Sequence, residues 1–148
     1  MIISEIEISY RTKTKAKDRL KISDSKSAFN ILYNNWNKNK IEHIEEFKIL
    51  LLNRNNEVLG IYDVGKGGVS CVVADVKVMF QAALKSNSSA LVLCHNHPSG
   101  KVQPSEADIK LTNRVKDGCE ILDFTLLDHV ILCSEEDVYF SFQDKGLL

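Results

Sequence analysis

The 148-residue chain, 44% apolar and 26% charged, is long enough to bury one sizeable core and too short for two comfortable domains. Its net charge of −1 excludes a protein that binds nucleic acid mainly through its overall field, so only a local basic patch would serve that purpose. Cys71, Cys94, Cys119 and Cys133 are widely spaced with no CxxC pair, which excludes a zinc ribbon or thioredoxin motif and predicts buried thiols in a reducing compartment.

Taken in chain order, Ile2 to Tyr10 alternates apolar and polar residues and predicts an edge strand, open to pairing with a second copy of the chain. Acid appears early, at Glu5, with no hydrophobic signal core, and no apolar run approaches the ~20 residues needed to cross a bilayer, so the expected location is cytoplasmic. Arg11, Lys13, Lys15, Lys17, Arg19 and Lys21 then alternate with other residues, which would align positive charge along one side of an extended segment. No aromatic residues are interleaved, so a solvated basic arm explains this stretch more simply than a nucleic-acid site. Ser23 or Asp24 caps a predicted helix reaching about Trp36, and a polar connector, Asn34 to Lys40, closes an N-terminal extension over residues 1–40. The main domain is expected over residues 41–148.

That domain opens with a strongly apolar strand from Phe47 to Asn53, with Phe47, Ile49 and Leu51 on one face and Leu50 and Leu52 on the other. Arg54-Asn55-Asn56 turns it into a second strand, Val58 to Val64. Gly65-Lys66-Gly67-Gly68 reads as a flexible turn and lacks the GK[ST] ending of a phosphate-binding loop. A short strand, Val69 to Val73, precedes a helix capped by Asp75 and running to Ser86. Then come a buried strand Ala90 to Cys94, a helix from Ser105 to about Asp117, a strand from Phe124 to Cys133 and a last strand near Tyr139 to Phe142. Strands alternating with helices predict an α/β fold, a three-layer αβα domain around a mixed sheet.

The informative stretch follows the buried strand: Cys94-His95-Asn96-His97-Pro98-Ser99-Gly100, then Ser105 and Asp108. At the end of an extended segment His95 and His97 point to one side and Asn96 to the other, so two nitrogen donors converge. Ser105 begins the next helix and Asp108 falls in its first turn, where exposed amides and the helix dipole favour a carboxylate. Two imidazoles and one carboxylate, with a fourth position open, form the pattern of a catalytic zinc site. Ser105-Glu106-Ala107-Asp108 is equally a capping box, in which serine and acid satisfy only helix amides. A metal-activated water needs a group to take and pass on its proton, and no HExxH supplies one locally, so a distant carboxylate is required. Glu45, at the head of the apolar strand, is a candidate, as it is also an ordinary acid in the cluster Glu42 to Glu46. His43 reads as a surface residue. His129, beside Asp128, is either a hydrogen-bonded support for a ligand or an ordinary satisfied core histidine.

The spacing His95-x-His97, seven residues, Ser105, two residues, Asp108 resembles the signature of the JAMM (JAB/MPN) metalloproteases, and HNHPSG with the downstream PSxxD resembles the bacterial RadC branch. The resemblance runs from about Ile44 to the end of the chain and includes Glu45 to Asn53, Gly65 to Gly68, Ala82-Ala83-Leu84 and Leu127 to Ile131. It implies a JAB/MPN, cytidine deaminase-like architecture and a Zn2+ ion held by His95, His97 and Asp108. It further implies Glu45, chosen over Glu46 by an ExF pattern, as the proton-handling residue, and Ser105 as donor to the oxyanion. The implied activity is hydrolysis of peptide or isopeptide amide bonds, with a peptide or protein as substrate. A different class remains beside it: a RadC-type DNA repair or mobile-element accessory protein with a secondary or vestigial metal site. The chain has only Met1 to Lys40 where full-length RadC proteins carry a helix-hairpin-helix region, which weakens that alternative. A non-catalytic scaffold has no chemical need for an open ligand set.

Overall fold

A computed structural model describes residues 3–5, 7, 9–67 and 73–148. The core is a mixed five-stranded sheet in the order β2-β1-β3-β4-β5. In chain order the elements are α1 (Ser25–Asn34), β1 (Glu46–Leu52), β2 (Val58–Lys66), α2 (Val76–Lys85), β3 (Ala90–Asn96), α3 (Glu106–Ile121), β4 (Thr125–Leu132) and β5 (Tyr139–Ser141). The β3–β4 pair is parallel and the other three pairings are antiparallel.

Alternation along β1 and β3 sorts their side chains into two cores. Leu50, Leu52, Val92 and Cys94 join Phe29 and Leu32 of α1 on one face, while Phe47, Ile49, Leu51, Leu91 and Leu93 join Met79 of α2 and Val115 of α3 on the other. Helices therefore cover both faces, giving the expected α/β layering. Each helix starts where a side chain satisfies a free amide: the Asp24 carboxylate accepts from Ser27 N, the Asp75 carboxylate from Lys77 N and the Ser105 hydroxyl from Asp108 N. The hairpin between β1 and β2 is closed by Asn53, whose Oδ1 accepts from the amides of Asn55 and Glu57. Cys94, Cys119 and Cys133 are buried free thiols; Cys71 lies outside the described residues.

Several expectations are corrected. The described residues between Ile3 and Tyr10 form no strand; Ile2, Ile6 and Ile8 lie outside them. The basic segment does not present one even row of charge, because a 3-10 turn at Ala16–Asp18 breaks the alternation. Its end lies against the hairpin instead, where Val58 N donates to Leu20 O, Lys21 Nζ to Asn55 Oδ1, and Arg19 sits 3.9 Å from Glu57. Gly65 and Lys66 belong to β2 rather than to a flexible turn, since Lys66 pairs with Glu46 at the start of β1. Of the strand expected at Val69 to Val73, residues 69–72 lie outside the described set and Val73 has no regular structure. Finally, α3 runs past Asp117 to Ile121 with Gly118 inside it at a close-packing position, where a Cβ would lie 2.5 Å from Phe80 Cε2 of α2.

Among the described residues no helix is long and apolar enough to cross a membrane.

Candidate metal centre

The polypeptide brings His95, His97 and Asp108 together for reasons visible in each element. β3 is buried throughout, and its last two residues, His95 and Asn96, are fully inaccessible. The His95 ring faces the Phe47 side and stacks on that phenyl ring, with centroids 5.6 Å apart and planes 6° from parallel. One step beyond the strand, His97 keeps the same facing because its amide still donates to Leu132 O of β4. His95 Nε2 and His97 Nε2 consequently lie 2.9 Å apart. From α3, Asp108 places Oδ1 3.2 Å from His95 Nε2 and Oδ2 3.6 Å from His97 Nε2.

Glu45 approaches the same nitrogens from the strand on the other side of β3. Donor atoms of Glu45, His95 and His97 all lie within 4.8 Å of one another. Its position is set by the backbone: Gly67 N donates to Glu45 O, and the next residue, Glu46, is held by Asn96. Asn96 projects to the opposite face from the histidines, where Oδ1 accepts from Glu46 N at 2.8 Å and Nδ2 donates to Ile41 O and Ile44 O at 2.7 and 2.9 Å. The residue between the two histidines thus clamps the segment that carries Glu45. Glu46 itself points away from the site into an ionic cluster with Lys66 at 3.2 Å and Lys48 at 3.9 Å, and Lys48 also pairs with Asp63. Strand alternation therefore turns Glu45 towards the histidines and Glu46 away from them.

The electrostatics match a cation site. Burial alone would raise the Asp108 carboxyl, but hydrogen bonds from the two imidazoles and the Ser105 amide outweigh it and hold the group well below the usual carboxylate range. The hydrogen bond to Asp108 raises His97 above 6.5 against the opposing effect of burial. Burial raises Glu45, with the two histidines partly offsetting it. Two nitrogens facing each other at hydrogen-bond distance beside an ionised carboxylate suit a borderline-soft divalent ion such as zinc, so this donor set fits the group that the spacing implies.

Ser105 is both near the site and fully occupied as a helix cap. Its hydroxyl donates to Asp108 Oδ2 at 2.8 Å and accepts from Asp108 N, while Ser105 N donates to the same Oδ2 at 2.7 Å. Asp108 thus serves the capping box and faces the imidazoles at once, since the cap fixes its carboxylate beside the histidines. His43 is exposed. His129 is fully buried on β4, with its Nε2 2.8 Å from His95 Nδ1, and burial lowers its pKa well below 6.5. Sequence reasoning missed Thr112, whose hydroxyl contacts both His129 and the Asp108 carbonyl; its one signal was its place a helical turn after Asp108. It also missed Lys101, whose carbonyl holds His97 Nδ1 at 2.6 Å.

Comparison with known proteins places the chain in a family. A family model described as a RadC-like JAB domain matches residues 22–147. A UPF0758 protein of Flavobacterium johnsoniae is 38% identical over 147 residues, covering 99% of this chain and 62% of that protein. Similar proteins of the same description occur in Porphyromonas gingivalis, 45% identical over 104 residues (70% of this chain, 45% of that protein), and in Aquifex aeolicus, 35% identical over 143 residues (97% and 59%). The chain therefore spans at most about three-fifths of the length of these relatives, as the 62% coverage of the Flavobacterium protein illustrates. With the match running from α1 through β5 and including the paired histidines and the acid that faces them, the chain belongs to the RadC-like JAB domain family.

Proposed function

We propose that the chain is a zinc-dependent hydrolase, a metallopeptidase that cleaves peptide or isopeptide amide bonds in a protein or peptide substrate. The observation that carries this reading is the convergence of His95 Nε2 and His97 Nε2 at 2.9 Å, with the Asp108 carboxylate against both and Glu45 within reach. His95, His97 and Asp108 would hold the metal. Zinc bound there supplies a Lewis acid for the carbonyl and brings a water toward ionisation near neutral pH.

The remaining work belongs to side chains of the protein. Glu45 takes the proton from the attacking water and returns it to the leaving nitrogen, a task suited to a half-buried carboxyl whose pKa is raised by burial. Ser105 turns its hydroxyl from Asp108 Oδ2 toward the developing oxyanion, a contact worth about 3 kcal/mol in comparable enzymes. Phe47 and the buried end of β3 keep bulk water from the inner side of His95.

Zinc content measured on protein purified without chelator tests the reading, with wild type compared against His95→Ala and His97→Ala. Stoichiometric zinc in wild type and loss in both variants is expected; equal content in all three overturns it. Chelator-sensitive cleavage of fluorogenic peptide and isopeptide substrates then separates a hydrolase from a metal-binding domain without this activity.

A further inference from the structure

A line of three buried contacts leads from α3 to the back of His95. Thr112 Oγ1 lies 2.6 Å from the backbone oxygen of Asp108 and 2.7 Å from His129 Nδ1, and His129 Nε2 lies 2.8 Å from His95 Nδ1. The direction of every proton along this line follows from its first member. A backbone carbonyl can only accept, so the single hydroxyl proton of Thr112 goes to Asp108 O. The Thr112 oxygen must then accept from His129, which places a proton on His129 Nδ1.

His129 is wholly buried between the Phe142 ring, stacked at 4.7 Å, and the Phe47 ring at 5.6 Å. Its hydrogen-bond partners among the described residues are Thr112 and His95, with no carboxylate between them, so a neutral ring with one proton is the stable form. Its Nε2 then carries a lone pair and accepts from His95 Nδ1, so the inner nitrogen of His95 is committed to a protein partner and Nε2 is the atom turned to Asp108 and His97. The opposite arrangement would set the His129 Nδ1 lone pair against that of Thr112. At His97 a second carbonyl, Lys101 O, fixes the same outcome: Nδ1 donates and Nε2 is the atom that faces His95 and Asp108.

We propose that Thr112 and His129 are positioning residues that hold a proton on His95 Nδ1 and so make Nε2 the atom turned to the site, whereby the helix carrying Asp108 also sets the donor atom of His95. The proposal rests on the metal-site reading above for its purpose, but the Nδ1 proton is expected in the metal-free chain as well and can be read there. It also closes a circuit: Asp108 presents its carboxylate to His95 on one side and, through its backbone carbonyl, Thr112 and His129, reaches the other nitrogen of the same ring.

The test uses the full chain, uniformly 15N-labelled and metal-free. Long-range 1H–15N correlation of the imidazoles is expected to show His95 and His129 protonated on Nδ1. Thr112→Val keeps the shape and removes the hydroxyl. It should disturb both tautomers and weaken zinc binding, measured by chelator competition, by about 10–100-fold, the usual effect of losing a partner behind a ligand. Thr112→Ser should restore both readouts, which a purely steric role for the threonine would not predict. A His95 Nδ1 without a proton in the metal-free wild type overturns the proposal, as does a Thr112→Val protein with unchanged ring protonation and zinc affinity. If Thr112→Val does not fold, the wild-type spectrum decides alone. If wild type binds no zinc, the proposed function falls while the tautomer measurement still judges the relay.

Discussion

Replacing Asn96 with alanine tests whether the clamp on the Glu45 segment is a structural necessity. Asn96 is fully buried and makes three hydrogen bonds to main chain outside its own strand: to Glu46 N, Ile41 O and Ile44 O. At about 1 kcal/mol net for each bond, the alanine variant should lose about 3 kcal/mol of unfolding free energy. For a domain near this size that is a fall of about 6–12 °C in melting temperature. Asn96→Asp is the sharper control, because it keeps an acceptor for Glu46 N but turns a second oxygen toward the two carbonyls, so it should be no more stable than alanine. Urea unfolding followed by circular dichroism measures both. A loss below about 1 kcal/mol in alanine, or a near-native aspartate variant, would refute the clamp, since three buried main-chain groups cannot lose their partner so cheaply.

Three other outcomes are expected. Glu45→Gln should abolish substrate cleavage while zinc content persists, and Glu46→Gln should retain cleavage, because Glu46 faces Lys48 and Lys66 on the opposite side of the sheet; parallel kinetics and metal analysis check this, and equal activities would reassign the proton carrier. Zinc affinity should rise about tenfold per pH unit up to the raised pKa of His97 and then flatten, because the metal must displace a proton that this ring retains above pH 6.5. In metal-free protein the same shift contributes stability that is complete below 6.5 and lost as pH rises through the folded value, so chelator competition and thermal melts across this window read one group from two sides. Gly118→Ala should destabilise by about 1–3 kcal/mol despite the better helix propensity of alanine, since its Cβ would meet Phe80 at 2.5 Å; an unchanged or higher melting temperature would show that Phe80 can move aside.

Most of the framework was legible because period and punctuation agreed. The apolar runs Phe47 to Leu52 and Ala90 to Cys94 became neighbouring central strands, and Asp24, Asp75 and Ser105 became caps. The HxH spacing at a strand end predicted converging imidazoles, and Asp108 in the first turn of a helix predicted a third partner. What was not legible depends on contacts between distant segments. A mid-helix threonine such as Thr112 carries no pattern of its own; its meaning arises only when β4 sets His129 beside it. The close packing at Gly118 was not legible because nothing in the sequence reveals that Phe80 lies across from it. The Gly65-Lys66 step read as a turn because the ionic partner that extends β2, Glu46, is remote in sequence. For His129 the two readings weighed from sequence coexist, since it is a satisfied core residue and its satisfaction runs through His95.

The parallel pairing of β3 with β4 has one more implication. The strand, helix and strand between Ala90 and Leu132 supply His95, His97, Asp108, Thr112 and His129, whereas Glu45 arrives from a separate antiparallel hairpin. On the proposed reading, capture of the ion and handling of the proton would thus be encoded in two modules that meet across the β1–β3 seam. Changes confined to the hairpin would then silence turnover and leave a metal receptor behind, so that loss of catalysis and loss of the cation would be separate evolutionary events.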